Sequence, residues 1–331
     1  MSSPIKVSQG ATYSRILAVA GARGNRVVDN AEMCTIIDSS DEWIQQRTGI
    51  IERRWVDDGQ NVLSLAIAAA RKAVERSGVP AEQIDGVLVS SVSNTRRFPS
   101  LATQVASALG LPNPAAADLS AACAGFCYGI SLADSMVRTG SAHHVLVVGV
   151  EVLSKQTNYT DRSTAFLFGD GAGAVVIGPS DTPAIGPAVW GSEINTAEII
   201  HSDDFEAGIA GGFEPMIHMD GHSVFRWATS YIVEKTVEVL EASGLRPDQL
   251  DVFIPHQANN RITDAMLRRL KLPESVVVSR DIKHMGNASA ASIPIAMDAL
   301  LESGEAKSGD NALVIGFGAG LVFAGQVVVL P

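Results

Sequence analysis

The chain has 331 residues, of which 46% are hydrophobic and 18% are charged, as is typical of a compact globular protein with one large or two ordinary domains. Its formal net charge of −11 argues against general nucleic-acid binding, which depends on clustered lysines and arginines. The longest apolar runs, such as residues 145–150, are far shorter than the ~20 residues that cross a bilayer, so no membrane insertion is expected.

Helices and short strands rich in Val, Ile and Leu alternate along the chain. This alternation predicts an α/β protein with parallel sheets covered by helices. In chain order, the predicted elements are a helix over 62–76, a strand over 87–89, a strand, turn and helix from 115 to about 138, a strand over 145–149, an irregular loop over 195–221, a helix over 224–242, and strands over 252–254, 276–278 and 312–316.

The two halves of the chain resemble each other, and this repeat predicts a duplicated fold. Ser243-Gly244 follows Ser77-Gly78 by 166 residues (243 − 77), and each pair has a helix before it and a strand after it. Prolines between residues 179 and 187 mark the boundary. We therefore assign residues 1–183 and 184–331 to two related halves.

Cysteine usage favours a cytoplasmic protein. Cys34, Cys123 and Cys127 cannot all pair with one another, and nothing else in the sequence suggests an oxidising compartment. No second pair of Cys or His has zinc-site spacing, so no metal centre is predicted. We expect Cys34 and Cys127 to be small buried hydrophobic residues.

Cys123 lies at the turn where a predicted strand ends and a helix begins. Unpaired N–H groups and the positive end of the helix dipole would favour a thiolate there, so the thiol could act as a nucleophile near neutral pH. The neighbouring residues at 121, 122 and 124 are alanines, which would let a substrate approach. The alternative is a packing cysteine in an alanine-rich helix.

His256 and Asn287 also follow predicted strands. His256 ends a strand where open α/β sheets place ligands, although a buried structural histidine would show the same pattern. Asn287 precedes a helix, where an asparagine is commonly a cap. Asp118 and Asp281 match at a shift of 163 residues (281 − 118), which would bring Cys123 and Asn287 to related turns of the two halves.

Two further segments have a chemical signature. The glycine-rich segment 316–320 lacks the helix signature of a phosphate loop, and its backbone N–H groups could face a developing oxyanion. Residues 261–271 carry four basic side chains against Asp264 alone, so an acidic protein partner could dock on this face of an acidic protein.

Together these segments resemble the β-ketoacyl-acyl-carrier-protein synthase III family, the initiating condensing enzymes of dissociated fatty-acid synthesis, over essentially the whole chain. The matching stretches are Ser40-Asp-Glu-Trp-Ile44, Arg47-Thr-Gly-Ile50, Asp118-Leu-Ser-Ala-Ala-Cys-Ala-Gly-Phe126, Phe168-Gly-Asp-Gly-Ala-Gly-Ala174, Pro255-His-Gln-Ala-Asn259, Gly286-Asn287 and Gly316-Phe-Gly-Ala-Gly320. The resemblance implies a thiolase-like duplicated fold, layered α-β-α-β-α with two pseudo-symmetric halves. It implies a decarboxylative Claisen condensation of a short-chain acyl-CoA with malonyl-acyl carrier protein, which yields a 3-oxoacyl carrier protein and needs no cofactor besides these substrates.

The same resemblance implies roles for individual residues. Cys123 would be the acylated nucleophile, while His256 and Asn287 would hold the malonyl thioester carbonyl and stabilise the enolate. Backbone N–H groups of Cys123 and Ala319 would form a second oxyanion site. The remaining implied contacts are Trp43, Arg47 and Arg162 with coenzyme A, and Arg226, Gln257, Ala258, Asn259, Asn260 and Arg261 with the carrier protein.

The segment 94–100 matches a family loop that implies a homodimer. Its phenylalanine, Phe98, would reach across the twofold interface and close the acyl pocket of the neighbouring subunit, which favours short primers. Packing of Phe98 under its own loop is the alternative.

Two other functions stay open at this point. A starter-unit synthase or acyltransferase of a polyketide or quinolone-type pathway would share the scaffold and the active-site residues, and a noncatalytic carrier-protein scaffold is a more remote alternative. A thiolase is disfavoured because segment 316–320 has no second cysteine. Ala288 stands where many relatives have threonine, which leaves the choice of primer open.

Overall fold

The computed structural model describes residues 5–6, 8–193 and 196–331. Within these residues the strands are β1 Tyr13–Arg23, β2 Arg26–Asp29, β3 Glu52–Trp55, β4 Gly86–Ser90, β5 Ala115–Leu119, β6 Val145–Val152, β7 Asp170–Ser180, β8 Val189–Ser192, β9 Ile200–Ser202, β10 Ile217–Met219, β11 Val252–Pro255, β12 Val277–Val278, β13 Asn311–Gly318 and β14 Val322–Val329. The helices are α1 Asn30–Ile36, α2 Asp41–Thr48, α3 Val62–Ser77, α4 Leu101–Ala108, α5 Gly125–Thr139, α6 Phe205–Gly211, α7 Gly221–Ser243, α8 Asn260–Leu270, α9 Ile282–Met285 and α10 Ser292–Ser303.

Two five-stranded sheets of matching topology form the framework of the molecule. The first sheet has the order β1-β7-β6-β4-β5, and the second has the order β8-β14-β13-β11-β12, so each strand has a counterpart in the other half. In each sheet three adjacent strands run parallel, and the other two pair antiparallel with their neighbours. The sheets are therefore mixed rather than wholly parallel as predicted. The first sheet ends at residue 180 and the second begins at 189, and we propose that the halves divide between them, at 183/184.

Helices cover both sheets and also lie between them. Helices α5 and α10 pack in one buried cluster with strands of both sheets. Helices α3 and α4 cover the outer face of the first sheet, and α7 and α8 cover that of the second. These contacts give the five layers α-β-α-β-α of the thiolase fold. Strand β6 is buried along its whole length because helices cover both of its faces.

The internal symmetry is clearest at the turns that precede the two central helices. Ala122 and Ser289 have left-handed φ values of 44° and 45°, although neither is glycine. They lie 167 residues apart (289 − 122), and helices α5 and α10 begin three residues after each of them. Asp118 and Asp281, which were predicted to match, do not occupy equivalent positions in the two halves. Asp118 accepts hydrogen bonds from the first N–H groups of α4, whereas Asp281 pairs with Arg23 at 2.6 Å.

The stretch 195–221 differs from its prediction as an irregular loop. Asn195 lies outside the described residues, but the rest contains β9, α6 and β10, and β9 pairs antiparallel with β10. The prediction was wrong because three-residue strands carry too little local pattern to be recognised. Ile217 and Met219 of β10 pack against a buried cluster that includes Phe166 of the first half. Among the described helices, none is both long and apolar enough to cross a membrane.

Candidate active site

Cys123 lies at the turn that connects β5 to α5, as the sequence predicted. Strand β13 approaches this turn so closely that a Cβ atom at Gly318 would lie 2.7 Å from the Cys123 Sγ atom. Only glycine leaves room for the sulfur there. The two halves of the chain therefore meet at the thiol.

The protonation state of Cys123 differs from the prediction of a thiolate near neutral pH. Burial raises the pKa of the Cys123 thiol to about 12, and the N–H groups of Cys123 and Ala319 oppose this rise only in part. The expected helix N-terminus is present, but its effect is smaller than the cost of desolvating the charge. The same two N–H groups approach the sulfur, and their role as an oxyanion site stays a prediction.

His256 follows β11 and is buried and uncharged. Burial lowers the pKa of the His256 imidazole to about 3. Its Nδ1 atom lies 2.7 Å from the Ser292 hydroxyl, which also accepts a hydrogen bond from the Gln257 N–H at 3.3 Å. We infer that the Ser292 hydrogen points at Nδ1, so that the neutral ring carries its own hydrogen on Nε2.

Asn287 is fixed by its backbone and by its side-chain oxygen. Its N–H donates to the Leu167 carbonyl at 2.8 Å, and its carbonyl accepts from the Gly169 N–H at 3.0 Å. Its Oδ1 atom accepts a hydrogen bond from the Ser289 N–H at 2.9 Å. With the oxygen occupied, the Nδ2 group remains available as a donor.

One cavity of about 230 Å³ brings Cys123, His256 and Asn287 together. Its wall also includes Ala319 and residues of β9 and β10, so the stretch that was predicted as a loop forms part of the cavity. The lining residues are Val92, Ala122, Cys123, Leu153, Gln156, Phe168, Ile200, His201, Ser202, Ile217, Met219, Val224, His256, Ala258, Asn287, Ser289, Phe317, Gly318 and Ala319.

A second cavity forms the mouth of the first. It has a volume of about 580 Å³, and Met219, Val224, Ala258 and Asn287 line both cavities. Trp43 and Arg47 line the mouth.

The three residues predicted to contact coenzyme A cluster at this mouth. The guanidinium carbons of Arg47 and Arg162 lie 5.5 Å and 5.0 Å from the centre of the Trp43 ring. Trp43 also packs edge to face on Phe166, with ring centres 5.3 Å apart. Both arginines are exposed, and they could meet an anionic group outside the cavity.

The residues predicted to contact a carrier protein fall into two groups. Arg226 and Arg261 are exposed, and the Arg261 guanidinium lies 5.6 Å from the Phe225 ring. Gln257 and Asn260 are instead buried and bonded within the fold: Gln257 donates to the Pro255 carbonyl at 2.8 Å, and Asn260 accepts from Arg280 at 3.2 Å.

The remaining two predicted carrier contacts also have roles within the chain. Ala258 lines both cavities. Asn259 caps α8 through the Arg261 N–H and donates to the Arg47 carbonyl. Burial argues against direct carrier contact for Gln257 and Asn260, because the sequence motif does not separate buried from exposed members. Contact with the other four residues stays a prediction.

Phe98 lies on the surface of the single chain, with 83% of its area exposed. The alternative of packing under its own loop does not fit this exposure. Among the other cysteines, Cys127 is buried and Cys34 is partly buried, as expected of packing residues.

Sequence reasoning missed Glu151 and Ser289. Glu151 is fully buried near the end of β6, and burial raises the pKa of its carboxyl to about 7. Glu151 lies two residues beyond the predicted strand over 145–149, so no local signal marked it as buried. Within the described residues there is no group of three or more His, Cys, Asp or Glu side chains that could hold a metal ion.

Comparison with known proteins identifies the relatives of this chain. Two family models match: 3-oxoacyl-[acyl-carrier-protein] synthase III over residues 117–194, and the C-terminal region of the same family over 240–330. The chain is 53% identical to the β-ketoacyl-[acyl-carrier-protein] synthase III of Streptomyces glaucescens over 99% of this chain and 100% of that protein. It is 52% identical to synthase III 1 of Streptomyces coelicolor, with the same coverage.

Solved structures agree with the sequence relatives. The priming β-ketosynthase of the R1128 polyketide pathway superposes with a TM-score of 0.97 at 44% identity, covering 99% of both chains. The 3-oxoacyl-[acyl-carrier-protein] synthase III of Aquifex aeolicus superposes with a TM-score of 0.88 at 36% identity, covering 96% of this chain and 99% of that one.

A duplicated five-layer fold with a cysteine, a histidine and an asparagine around one cavity defines a condensing enzyme of the thiolase fold. Within that class, the chain belongs to the β-ketoacyl-acyl-carrier-protein synthase III family, and it is an acyltransferase.

Proposed function

We propose that this enzyme joins a short-chain acyl-CoA primer to malonyl-acyl carrier protein, releasing carbon dioxide and forming a 3-oxoacyl carrier protein that starts fatty-acid synthesis. The observation that carries the proposal is the single cavity shared by Cys123, His256 and Asn287. The names of the most similar relatives support the same reaction. The proposed reaction needs no metal or bound cofactor.

The first half-reaction is transfer of the acyl group to Cys123. The sulfur attacks the thioester carbonyl, coenzyme A leaves, and an acyl-cysteine remains. Negative charge develops on the carbonyl oxygen during the attack. The N–H groups of Cys123 and Ala319, which approach the sulfur, are suited to stabilise that charge without any change of conformation.

The second half-reaction is decarboxylation of the malonyl group and attack on the acyl-cysteine. Loss of carbon dioxide leaves an enolate, whose oxygen carries the developing charge. The Nε2–H of His256 and the Nδ2 group of Asn287 are two neutral donors that can bind this oxygen. The low pKa of His256 keeps the ring neutral, so it donates a hydrogen bond without forming an ion pair that would hold the malonyl carboxylate.

The mouth of the cavity fits the acyl donor. Coenzyme A carries an aromatic base and several phosphates, and Trp43 with Arg47 and Arg162 offers one aromatic face and two cations. The narrow cavity below would take the pantetheine arm that leads to Cys123. These contacts with coenzyme A are part of the proposed function.

The carrier protein would dock beside the mouth. Arg261, Arg268, Arg269 and Lys271 are exposed along or just after α8, and the acid of this helix, Asp264, is paired with Arg280 at 2.6 Å. Asp264 therefore does not neutralise the exposed cations of α8, and these cations are available to bind an acidic partner. Arg226 on α7 extends the same surface.

A homodimer with a closed acyl pocket completes the proposal. Strand β5 is an edge strand with exposed alanines, which offers unpaired N–H and C=O groups to a second copy. The exposed Phe98 needs an apolar environment that its own chain does not supply. We place the enzyme in the cytoplasm on the basis of its reduced cysteines and its substrates.

A polyketide starter-unit synthase is the second candidate. The high similarity to a priming β-ketosynthase favours it. The two functions differ in the carrier protein and the primer rather than in the chemistry. A noncatalytic scaffold is set aside because the relatives are condensing enzymes.

The test is a reconstituted condensation with malonyl carrier proteins from both kinds of pathway and acyl-CoA primers of increasing size. We expect a 3-oxoacyl product in the wild type, loss of the product in Cys123→Ala, and residual decarboxylation of the malonyl carrier by that variant. Preference for the fatty-acid carrier supports the first function. Preference for the polyketide carrier would support the second, and no product with either carrier would contradict both.

A further inference from the structure

The cavity contains a nucleophile whose proton has no obvious acceptor. Burial raises the pKa of the Cys123 thiol to about 12, so the thiol is protonated at neutral pH. His256 is a poor acceptor, because its Nδ1 atom lies 2.7 Å from the Ser292 hydroxyl and the tautomer inferred above places the ring hydrogen on Nε2. A base must therefore come from another side of the sulfur.

Ser289 lies on that side. It lines the cavity together with Cys123, and its turn packs directly against the turn that holds Cys123. The Ser289 hydroxyl oxygen is buried and makes no conventional hydrogen bond within the described residues. The turn that holds Ser289 also packs against β6, which carries Glu151, and the Ser289 hydroxyl lowers the pKa of both the Cys123 thiol and the Glu151 carboxyl.

Glu151 lies on a strand that packs against the Ser289 turn. Strand β6, which carries Glu151, packs against the turn at 289–291 so tightly that a Cβ atom at Gly149 would lie 2.3 Å from the Ala290 carbonyl oxygen. Glu151 is fully buried and forms no ion pair in the part of the chain that the structure describes. A buried carboxyl without a cation is costly for a fold, which points to a chemical role.

The two carboxyl oxygens of Glu151 have different surroundings. Oε2 accepts hydrogen bonds from the Ser93 hydroxyl at 2.7 Å, from the N–H groups of Val92 and Ser93 at 3.1 Å, and from the Ser91 hydroxyl at 3.3 Å. Among the described residues, Oε1 accepts a hydrogen bond from the Val92 N–H alone, at 3.3 Å. One oxygen anchors the carboxyl, and the other is left largely free to exchange a proton.

We propose that Glu151 and Ser289 form a proton relay that activates Cys123, with Ser289 between the thiol and the carboxylate. The inference rests on the proposed acylation of Cys123. As the sulfur attacks the thioester, the Sγ–H proton passes to the Ser289 oxygen, and the Ser289 hydroxyl proton passes to Glu151. The result is a new S–C bond, a regenerated serine hydroxyl and a neutral carboxyl. When the C–S bond to coenzyme A breaks, the electron pair leaves with its sulfur, and Glu151 returns a proton through Ser289 to that thiolate.

The groups that face Glu151 fit this role. The Cys123 turn supplies the thiol, the 289–291 turn supplies the Ser289 hydroxyl, and the loop after β4 supplies Ser91 and Ser93. Cys127 gives an internal comparison: burial also raises its pKa to about 12, although Cys127 is fully buried and Cys123 is partly exposed, and the Gly316 backbone alone opposes the rise. A raised pKa is thus common to both thiols, and the relay belongs to Cys123 alone.

The test measures single-turnover acylation of Cys123 by acetyl-CoA as a function of pH. In the wild type we expect the rate to rise with a midpoint near the Glu151 pKa of about 7. Glu151→Gln keeps the oxygen that meets Ser93 but cannot accept the proton, so the rate should fall about 100-fold or more and lose that midpoint. Ser289→Ala should show the same loss.

Ser93→Ala is the matched variant that keeps the proposal testable if Glu151→Gln does not fold. It removes a hydrogen bond that lowers the pKa of Glu151 and leaves Ser289 in place, so the midpoint should move to higher pH. A wild-type profile in Glu151→Gln, or an unmoved midpoint in Ser93→Ala, would overturn the relay while leaving the proposed function intact. If the wild type does not acylate at all, both proposals fail.

Discussion

The hydroxyl oxygen of Ser292 lies 2.7 Å from the Nδ1 atom of His256, and this contact joins the residue after β11 to the first residue of α10. It connects the strand that presents the imidazole to a central helix of the fold. The contact determines which ring nitrogen carries the hydrogen, and only hydrogen on Nε2 gives the donor that an enolate requires.

Replacing Ser292 should therefore affect the second half-reaction. In Ser292→Ala we expect decarboxylation of malonyl carrier protein to fall about 10-fold, the cost of roughly one hydrogen bond, with a smaller change in Cys123 acylation. Ser292→Thr keeps a hydroxyl and should restore most of the rate. The two half-reactions are measured separately, by carbon dioxide release and by intact mass; equal losses in both would argue against a specific role at His256.

Space around the nucleophile provides a second prediction. A methyl group at position 318 would lie 2.7 Å from the Cys123 sulfur, so Gly318→Ala should displace the thiol and abolish acylation by acyl-CoA. Gly59→Ala is the matched control, because its added Cβ atom would meet only the Asp57 side chain at 3.5 Å. Normal acylation in Gly318→Ala, measured by mass spectrometry, would mean that the sulfur does not depend on this close approach.

The basic surface around Arg261, beside the mouth of the cavity, should affect only the reaction with malonyl carrier protein. Arg261→Glu reverses one exposed charge, so we expect a higher KM for malonyl carrier protein and a weaker dependence of that KM on salt. Acylation by acyl-CoA serves as the internal control and should stay near normal. An unchanged carrier KM would contradict docking at Arg261.

Chain-length preference should depend on Phe98. If its ring closes the acyl pocket of a partner subunit, Phe98→Thr should shift acylation toward longer acyl-CoA primers, since each methylene in a fixed pocket changes discrimination by ~1–3 kcal/mol. Competition among primers of increasing length measures the shift, and sedimentation measures the assembly state. A monomeric wild type would contradict the account, as would an unaltered profile in the variant.

The buried carboxyl should make stability depend on pH. The folded-state pKa of Glu151, about 7, lies above its usual value of 4.5, so its favourable contribution is complete below pH 4.5 and is lost as the pH rises through 7. Above that range the ionised group costs about 3 kcal/mol, at 1.36 kcal/mol per pKa unit. Glu151→Gln removes this cost. The urea concentration at its unfolding midpoint should be higher than that of the wild type at pH 8, with a smaller difference at pH 5. A lower midpoint in the variant at pH 8 would contradict an unfavourable ionised carboxylate.

The sequence was sufficient to predict the features that local residue patterns indicate. The strand endings at His256 and before Cys123, and the repeat around Ser77-Gly78, follow from residue periodicity and turn residues, and the structure confirms those elements. The layered fold and the family came from motifs spread over the whole chain, and the comparisons confirm both.

Features that depend on burial could not be predicted from the sequence. The thiol of Cys123 sits at a helix N-terminus, but its pKa is set mainly by desolvation, which is a property of the packed molecule. Gln257 and Asn260 belong to a recognisable motif, yet only the fold shows that their side chains are buried. Glu151 was missed because nothing local distinguishes a buried acid at a strand end from a solvated one.

The central claim is that Cys123 carries the acyl group that the malonyl unit then attacks. The direct measurement is a chase: the enzyme is acylated with acetyl-CoA, freed of small molecules, mixed with malonyl carrier protein and followed by intact mass spectrometry. The account predicts that the mass of one acetyl group, located on Cys123, disappears at the rate at which the 3-oxoacyl carrier protein forms. An acyl-enzyme that persists while product forms, or a label on another residue, would contradict it.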